Sequence, residues 1–483
     1  MSMIQVVQAK LAAGEFSCRE LTCAYLDAIS RDNGALNAYV RTTPDIALEA
    51  ADRVDRKLAR GEALLPLEGV PMTLKDNIST RGVETTCCSR MLQGYVPIYS
   101  AFVWEVLQKQ GAVLLGKTNM DEFAMGSSSE TSCFGGSLNP HDLSRVAGGS
   151  SGGAASAVAG NLAVYGLGSD TGGSIRQPAS FCGVTGLKPS YGAVSRFGLV
   201  AYASSLDQIG PIAPSAGDCA AIYDVISEYD PMDSTCRGRR EAALPRLEEG
   251  IRGMKIGMPE EYFSGVRPEV LSALESAGEV FRSLGAELVP FRLPALQYAL
   301  PVYYILACAE AASNLGRYDG IRYGYRTAHY SGVHDMVCRT RTEGFGKEVQ
   351  RRILLGNYVL SSGYYDAYYK KAQGLRGAIV KGFREAFEKC DIIMAPTVPM
   401  TAFPQNFTGA DPVETYLTDI CTVPVNIAGL PALSTPCGYD SGGLPIGMQL
   451  IGNTFCEASI LTAAHQYEKA AGQHKATKWG VTL

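Results

Sequence analysis

A chain of 483 residues, 46% of them hydrophobic, has enough apolar material for one large α/β domain or two or three ordinary ones. Its 43 basic and 48 acidic side chains leave a net charge of −5 and form no long blocks, which excludes the electrostatic footprint of direct nucleic-acid binding; any RNA role would come through a partner. No apolar run approaches the ~20 residues of a membrane helix, and Met1-Ser2-Met3-Ile4-Gln5 has no basic region followed by an apolar core, so a cytoplasmic protein without membrane contact is expected.

Residues 1–60 read as helical. Ser17-Cys18-Arg19-Glu20 has the form of a capping box, and Leu21, Tyr25, Ala28 and Ile29 follow as one apolar stripe. From 61 to about 238, apolar strands such as Ala112–Leu115 and Leu162–Leu167 alternate with Gly-rich turns and Ala/Ser segments of helical character, the pattern of an α/β sheet core. Arg237–Glu249 is a charged connector, Lys255–Met258 a strand, and Pro268–Leu284 an amphipathic helix stopped by Gly285. Residues 294–390 are helix-rich and crowded with tyrosine, notably Tyr303-Tyr304, Tyr364-Tyr365 and Tyr368-Tyr369.

Asp391–Pro396 returns to strand. Ala432–Cys437, the turn Asp440-Ser441-Gly442-Gly443 and Gly447–Ile451 read as a hairpin, with a closing helix over Glu457–Ala471. With no internal repeat or low-complexity linker, a single domain over 1–483 is expected. It would have N-terminal helices (1–60), a sheet core (61–238 and 391–483) and a largely helical insertion (239–390). The 14 cysteines are scattered and never form a Cys-x-x-Cys pair, so reduced structural thiols are expected and no metal site.

Gly111-Ala112-Val113-Leu114-Leu115-Gly116-Lys117-Thr118 fits the phosphate-loop pattern. A phosphate cradle needs a loop presenting free backbone amides, whereas Ala-Val-Leu-Leu is strand core whose amides pair in a sheet, so the match is rejected. Gly148-Gly149-Ser150-Ser151-Gly152 fits the nucleophile elbow of α/β hydrolases, with Asp419 or Asp440 and then His465 in the matching chain order. That elbow should follow a buried strand, but Asn139–Arg145 reads as a polar turn, and His465 lies in a helical pattern.

The glycines could serve only tight turns. However, Asp170-Thr171-Gly172-Gly173-Ser174 follows a predicted strand, so its consecutive amides could converge on an oxyanion with Ser174 beside them. The chain holds only five histidines, which turns attention to another base. Lys75 taken alone is a solvated strand-end lysine, but alternation puts Val70, Met72 and Leu74 on one face and Thr73 and Lys75 on the other, facing a polar site inside a buried sheet. Burial disfavours the charged form. A neutral lysine at pH 7 requires its pKa to fall by about 3.4 from near 10.4, roughly 4.6 kcal/mol.

Together these residues resemble the amidase signature hydrolases. Gly148–Ala179 fits the family's long signature throughout, including Ser174-Ile175-Arg176-Gln177-Pro178, and Lys75 stands at the expected upstream place. Further stretches resemble one branch, the glutaminase components of tRNA-dependent amidotransferases: Arg196–Val200, Ser204–Pro211, Arg317–Gly324 and Glu343–Val349. Ala147 departs from the proline common there, which puts no catalytic group in doubt.

The resemblance implies an amidase-signature α/β fold with a central mixed sheet covered by helices. It implies a triad of Ser174 as nucleophile, Ser150 as bridging serine on a cis peptide bond, and Lys75 as base, with the amides of Thr171, Gly172, Gly173 and Ser174 as oxyanion hole. It further implies glutamine as substrate, held by Asp419, Arg352 and Tyr304. The partners implied are B and C subunits in a heterotrimer, with tRNA contacted mainly through the B subunit. This chain would carry no cofactor, because the B subunit is the one that uses ATP and Mg²⁺. Two other readings are open: a stand-alone amidase of small carboxamides would share the triad and need no partner, and a non-catalytic assembly protein would need none of the three groups.

Overall fold

The computed structural model describes residues 2–407, 417–472 and 477–482. Thirteen strands are seen among them: β1 (Tyr39–Thr42), β2 (Pro71–Lys75), β3 (Val113–Thr118), β4 (Leu138–Asn139), β5 (Asp142–Val146), β6 (Tyr165–Asp170), β7 (Thr185–Lys188), β8 (Gln208–Ala213), β9 (Lys255–Pro259), β10 (Glu287–Phe291), β11 (Ile392–Pro396), β12 (Ala432–Tyr439) and β13 (Pro445–Gly452). Eleven form one sheet in the order β1-β3-β2-β6-β8-β7-β12-β13-β11-β9-β10, while β4 and β5 pair apart from it. The sheet is mixed: β2 runs parallel to β3 and β6, β8 is antiparallel to β6, and β9 is parallel to β10 and β11.

The expected α/β core is therefore present, and the sheet extends beyond the segments assigned to it. β1 comes from within 1–60, and β9 and β10 come from within 239–390. Inside the latter segment the helix Pro268–Ser283 lies between β9 and β10, and the helices Ala299–Asn314, Val333–Gly344, Lys347–Leu360 and Lys371–Ala386 follow. They cover a second large apolar core with Leu306, Val349 and Phe383. The first core lies under the N-terminal helices and the helices Ala216–Ile226 and Glu457–Ala471.

Local sequence accounts for many boundaries. The Ser17 amide donates to Glu20 Oε2 at 2.8 Å and the Glu20 amide to Ser17 Oγ at 3.0 Å, a reciprocal capping box at the start of Cys18–Leu36. Its stripe of Leu21, Tyr25, Ala28 and Ile29 is buried. The helix Pro268–Ser283 stops where Gly285 turns to a φ of 87°. The turn between β12 and β13 closes on Asp440 Oδ1, which accepts from the amides of Gly442 and Leu444, both at 2.9 Å. All five residues of β2 are buried because both faces of the sheet are covered, so Lys75 is enclosed despite its alternating register.

Close approach dictates Gly153, near the start of the helix Gly152–Ala159. A β-carbon there would lie 2.5 Å from the Ala38 carbonyl and from both backbone polar atoms of Asn119. Gly34, in an exposed helical turn, would meet nothing within 4 Å. Gly153→Ala is expected to destabilise the protein by about 1–3 kcal/mol, and Gly34→Ala to stabilise it by about 0.5–1 kcal/mol. Thermal unfolding of the two variants beside the parent checks the ordering.

Candidate active site

Lys75 ends β2 with its Nζ 2.7 Å from Ser150 Oγ and 3.1 Å from the Ser169 carbonyl. Burial drives its pKa down to about 7, against the opposing pull of Asp121, Asp170 and Asp207. A buried lysine at that value is neutral about half the time near pH 7, so its lone pair can accept the proton of the hydroxyl it touches. The peptide bond between Gly149 and Ser150 is cis.

The Ser150 loop is braced from several directions. The Gly149 amide donates to Gln177 Oε1 at 2.8 Å, and Gln177 Nε2 reaches the Ser127 carbonyl at 2.7 Å. Ser129 Oγ donates to the Gly148 carbonyl at 2.7 Å, and the Asp121 amide donates to the Ser150 carbonyl at 3.2 Å. Asp121 in turn accepts from the Ser129 amide at 2.9 Å and Thr131 Oγ1 at 2.8 Å. A β-carbon on Gly149 would fall 2.0 Å from Asp121 Oδ2, so only glycine lets this carboxylate and the loop meet.

Ser174 stands in the turn after β6. Asp170, the last residue of that strand, accepts from the amides of Gly173 (2.8 Å) and Ile175 (3.1 Å), from Asn426 Nδ2 (2.8 Å) and from two nitrogens of Arg176 (3.0 and 3.1 Å). Burial alone would raise its pKa, but the Arg176 guanidinium, followed by Lys188 and Asn426, holds the carboxyl well below the usual range. Ser150 is fully enclosed, whereas Ser174 keeps 8% of its surface accessible. Of the two, Ser174 is the one open to substrate. Its carbonyl accepts from the Ser151 amide at 3.1 Å, joining the two serine loops.

One expectation needs correction. The oxyanion hole was expected to use the amides of Thr171, Gly172, Gly173 and Ser174, but the Gly173 amide is bonded to Asp170. The Gly172 carbonyl accepts from Thr422 Oγ1 at 2.6 Å, which fixes the plane of that peptide. Thr171 contributes its hydroxyl to Asp207 at 2.6 Å. The amides of Thr171, Gly172 and Ser174 donate to no acceptor among the described residues and are the donors able to meet a developing oxyanion.

Tyr304, Arg352 and Asp419 lie in three separated segments and are brought together. Tyr304 OH donates to Asp419 Oδ2 at 3.0 Å, and the Arg352 guanidinium stands 5.3 Å from the Tyr304 ring centroid. Arg352 is buried, unlike its exposed neighbour Arg351; it donates to Glu348 at 2.8 Å and to Tyr202 OH at 2.7 Å. Burial pushes the Asp419 carboxyl up to about 7 despite hydrogen bonds from Ser127 and Tyr304. Ser127 Oγ, 3.0 Å from Asp419 Oδ1, was missed from the sequence, as were Tyr202 and Gln177. The run Gly126-Ser127-Ser128-Ser129 was the available signal for the first.

The rival motifs resolve on geometry. Lys117 is buried within β3, donating to the Ile78 carbonyl at 2.7 Å and Thr85 Oγ1 at 3.0 Å. His465 sits on the helix Glu457–Ala471 and pairs with Glu248 at 3.0 Å, and Asp440 closes the β12–β13 turn. The residues before Gly148 form the β4–β5 ribbon outside the main sheet, so Ser150 does not follow a main-sheet strand. Among the described residues no group of three or more His, Cys, Asp and Glu side chains is placed to hold a metal ion, and no helix is long and apolar enough to cross a membrane.

Comparison with known proteins shows the family and the fold. The amidase family model matches residues 20–461. The chain is 54% identical over 458 residues to the A-type subunit of the glutamyl-tRNA(Gln) amidotransferase of Caldanaerobacter subterraneus subsp. tengcongensis, covering 94% of this chain and 93% of that one. It is similar to the crystal structure of the corresponding A-type glutamyl-tRNA(Gln) amidotransferase subunit from Thermotoga maritima (TM-score 0.81, 38% identity, covering 96% and 95% of the two chains). It is also similar to the peptide amidase of Stenotrophomonas maltophilia (TM-score 0.82, 30% identity, 98% and 97%). The chain belongs to the amidase family, and its lysine and paired serines lie within the stretch that the family model spans.

Proposed function

We propose that this chain is the glutaminase subunit of a tRNA-dependent amidotransferase, hydrolysing glutamine to glutamate and ammonia. The observation that carries the reading is the pairing of buried Arg352 with Asp419 around Tyr304. A planar guanidinium suits an α-carboxylate and a carboxylate suits an α-ammonium, so the two match the zwitterionic end of a free amino acid. A stand-alone amidase of small carboxamides has no use for that pair. The names of the relatives, as components of glutamyl-tRNA(Gln) amidotransferases, support the same reading.

In the reaction, neutral Lys75 takes the Ser150 proton while Ser150 takes that of Ser174, and Ser174 Oγ attacks the side-chain amide carbon of glutamine. The amides of Thr171, Gly172 and Ser174 stabilise the oxyanion. Collapse breaks the carbon–nitrogen bond, and the relay returns the proton to the departing nitrogen. Ammonia leaves and a γ-glutamyl ester remains on Ser174. Water, deprotonated through the same relay, hydrolyses the ester and restores the hydroxyl. Ammonia then passes to a B subunit held with this chain and a C subunit in a heterotrimer. There, ATP and Mg²⁺ serve to activate the carboxylate of Glu-tRNA(Gln) or Asp-tRNA(Asn). The net charge of −5 suits a chain that leaves tRNA contact mainly to its partner.

Replacing Ser174 by Ala is expected to abolish glutamine hydrolysis while the fold is retained. Lys75→Met should lower kcat by about 10²–10⁴-fold, the usual worth of a positioned base, and His465→Ala should leave it near the parent value. Wild-type turnover by a well-folded Ser174→Ala protein would overturn the assignment, and the reverse ranking of the lysine and histidine variants would restore the hydrolase-elbow reading. Glutaminase assays on the purified chain and its assembled complex supply the measurement.

A pH profile separates two groups that both titrate near 7. Lys75 must be neutral to act, so kcat should rise with pH through about 7; Asp419 must be ionised to hold the ammonium, so KM for glutamine should fall over the same range. Asp419→Asn should raise KM by about 10–100-fold, the loss expected of a charged hydrogen bond. It should flatten the pH dependence of KM and leave the rise of kcat in place. A KM that still falls steeply with pH in that variant would assign the dependence to another group.

A further inference from the structure

Glu122 is a buried acid that the mechanism leaves unused. It has no basic ion-pair partner among the described residues, and burial pushes its carboxyl up to about 7. Such a group is costly to retain without a role. Its Oε2 accepts from the Gly346 amide at 2.8 Å, and its Oε1 is bonded by Ser89 Oγ. Gly346 is the N-cap of the helix Lys347–Leu360, which carries Arg352. The residue that would reach back to the N-cap amide in a capping box, Val349, has no acceptor, and Glu122 supplies one from 224 residues away.

Two further features fit this contact. Gly346 has φ −70° and ψ 166°, extended backbone open to any residue, so conformation does not demand glycine there. Space does: a β-carbon would lie 2.4 Å from Glu122 Oε2. On the other side, Asp121 precedes Glu122 and is part of the brace on the Ser150 loop, its amide bonded to the Ser150 carbonyl. Phe123 and Ala124 then take φ of 50° and 62°, the left-handed region disfavoured for residues with a β-carbon. The Phe123 ring packs 5.7 Å from that of Phe345, which immediately precedes Gly346. A short, tightly turned segment thus grips the Ser150 loop with one acid and the Arg352 helix with the next.

We infer that Glu122 is a positioning residue that sets Arg352 against the Ser150–Ser174 relay, fixing the distance between the glutamine α-carboxylate and the amide under attack. This rests on the glutamine reading above, so the test is arranged to separate the two. Glutamine binding is measured by calorimetry on the full chain in a Ser174→Ala background, which binds without turning over. Adding Glu122→Ala is expected to raise Kd at least tenfold. Adding Glu122→Gln, whose amide oxygen still accepts from Gly346 and whose nitrogen bonds Ser89, should stay within about threefold.

In the catalytically active chain, Glu122→Ala should raise KM much more than it lowers kcat, with Glu122→Gln restoring both. Gly346→Ala, which pushes the carboxylate away without removing it, should weaken binding at least fivefold and stands in if Glu122→Ala does not fold. Unchanged Kd in folded Glu122→Ala or Gly346→Ala protein, or a loss confined to thermal stability, would overturn the inference. If the Ser174→Ala chain itself binds no glutamine, the glutamine reading falls, and this one with it.

Discussion

The interaction on which the site depends is the 2.7 Å contact between Lys75 and Ser150 inside a covered sheet. A lysine is a base only when it is uncharged, and exposed on a strand end it would remain an ammonium near neutral pH. Enclosure removes the hydration that favours the charge, and the surrounding carboxylates oppose that effect without cancelling it. The chemistry therefore depends on the thickness of the fold around β2. Helices on both faces are as much a part of the base as its nitrogen.

That same enclosure imposes a cost on every other polar group nearby, and the structure meets it by pairing. Asp170 and Arg176, both buried, satisfy each other and the turn amides between them, with Asn426 adding a further bond. Such a pair contributes little net stability compared with apolar packing. Its value lies in geometry: Asp170 draws the Gly173 amide inward, which leaves the neighbouring amides of Thr171, Gly172 and Ser174 free in the turn. An ion pair thus decides which amides of the turn stay free.

What was legible in the sequence follows from how far apart the cooperating residues lie. The capping box at Ser17, the strand that ends in Lys75 and the strand leading to Ser174 are local patterns, read within a few positions. The braces on the Ser150 loop come from Gln177, Ser127 and Asp121, each tens of residues away in sequence. No periodicity announces a glutamine side chain that will span two loops. The sheet's far edge was partly hidden for a related reason. The strand at Lys255 carried its own signal, but neither it nor β10 shows locally that it joins the core sheet across β11. The bond from the Gly173 amide to Asp170 was also invisible, because the direction of that amide is tied to the Gly172 carbonyl, which Thr422 holds from 250 residues away.

On the proposed function, the site also shows why the family signature alone does not specify a substrate. Lys75 and Ser174 come from the sheet and its turns and Ser150 from the loop between the β4–β5 ribbon and the helix Gly152–Ala159, whereas Arg352 and Tyr304 come from the helices that pack over the second core. Catalytic and selective groups thus belong to different layers, and the helical layer can change without disturbing the relay. Such a division carries a mechanical requirement. The reacting amide and the charged end of the substrate are fixed by different elements, so their separation holds only if the layers are tied at defined points. The bond from Tyr304 to Asp419 is one such tie, joining residues 115 apart in sequence, and the bond from Thr422 to Gly172 is another, running directly into the oxyanion turn. Selectivity for the substrate's charged end and alignment of its amide are then two consequences of one set of contacts between layers.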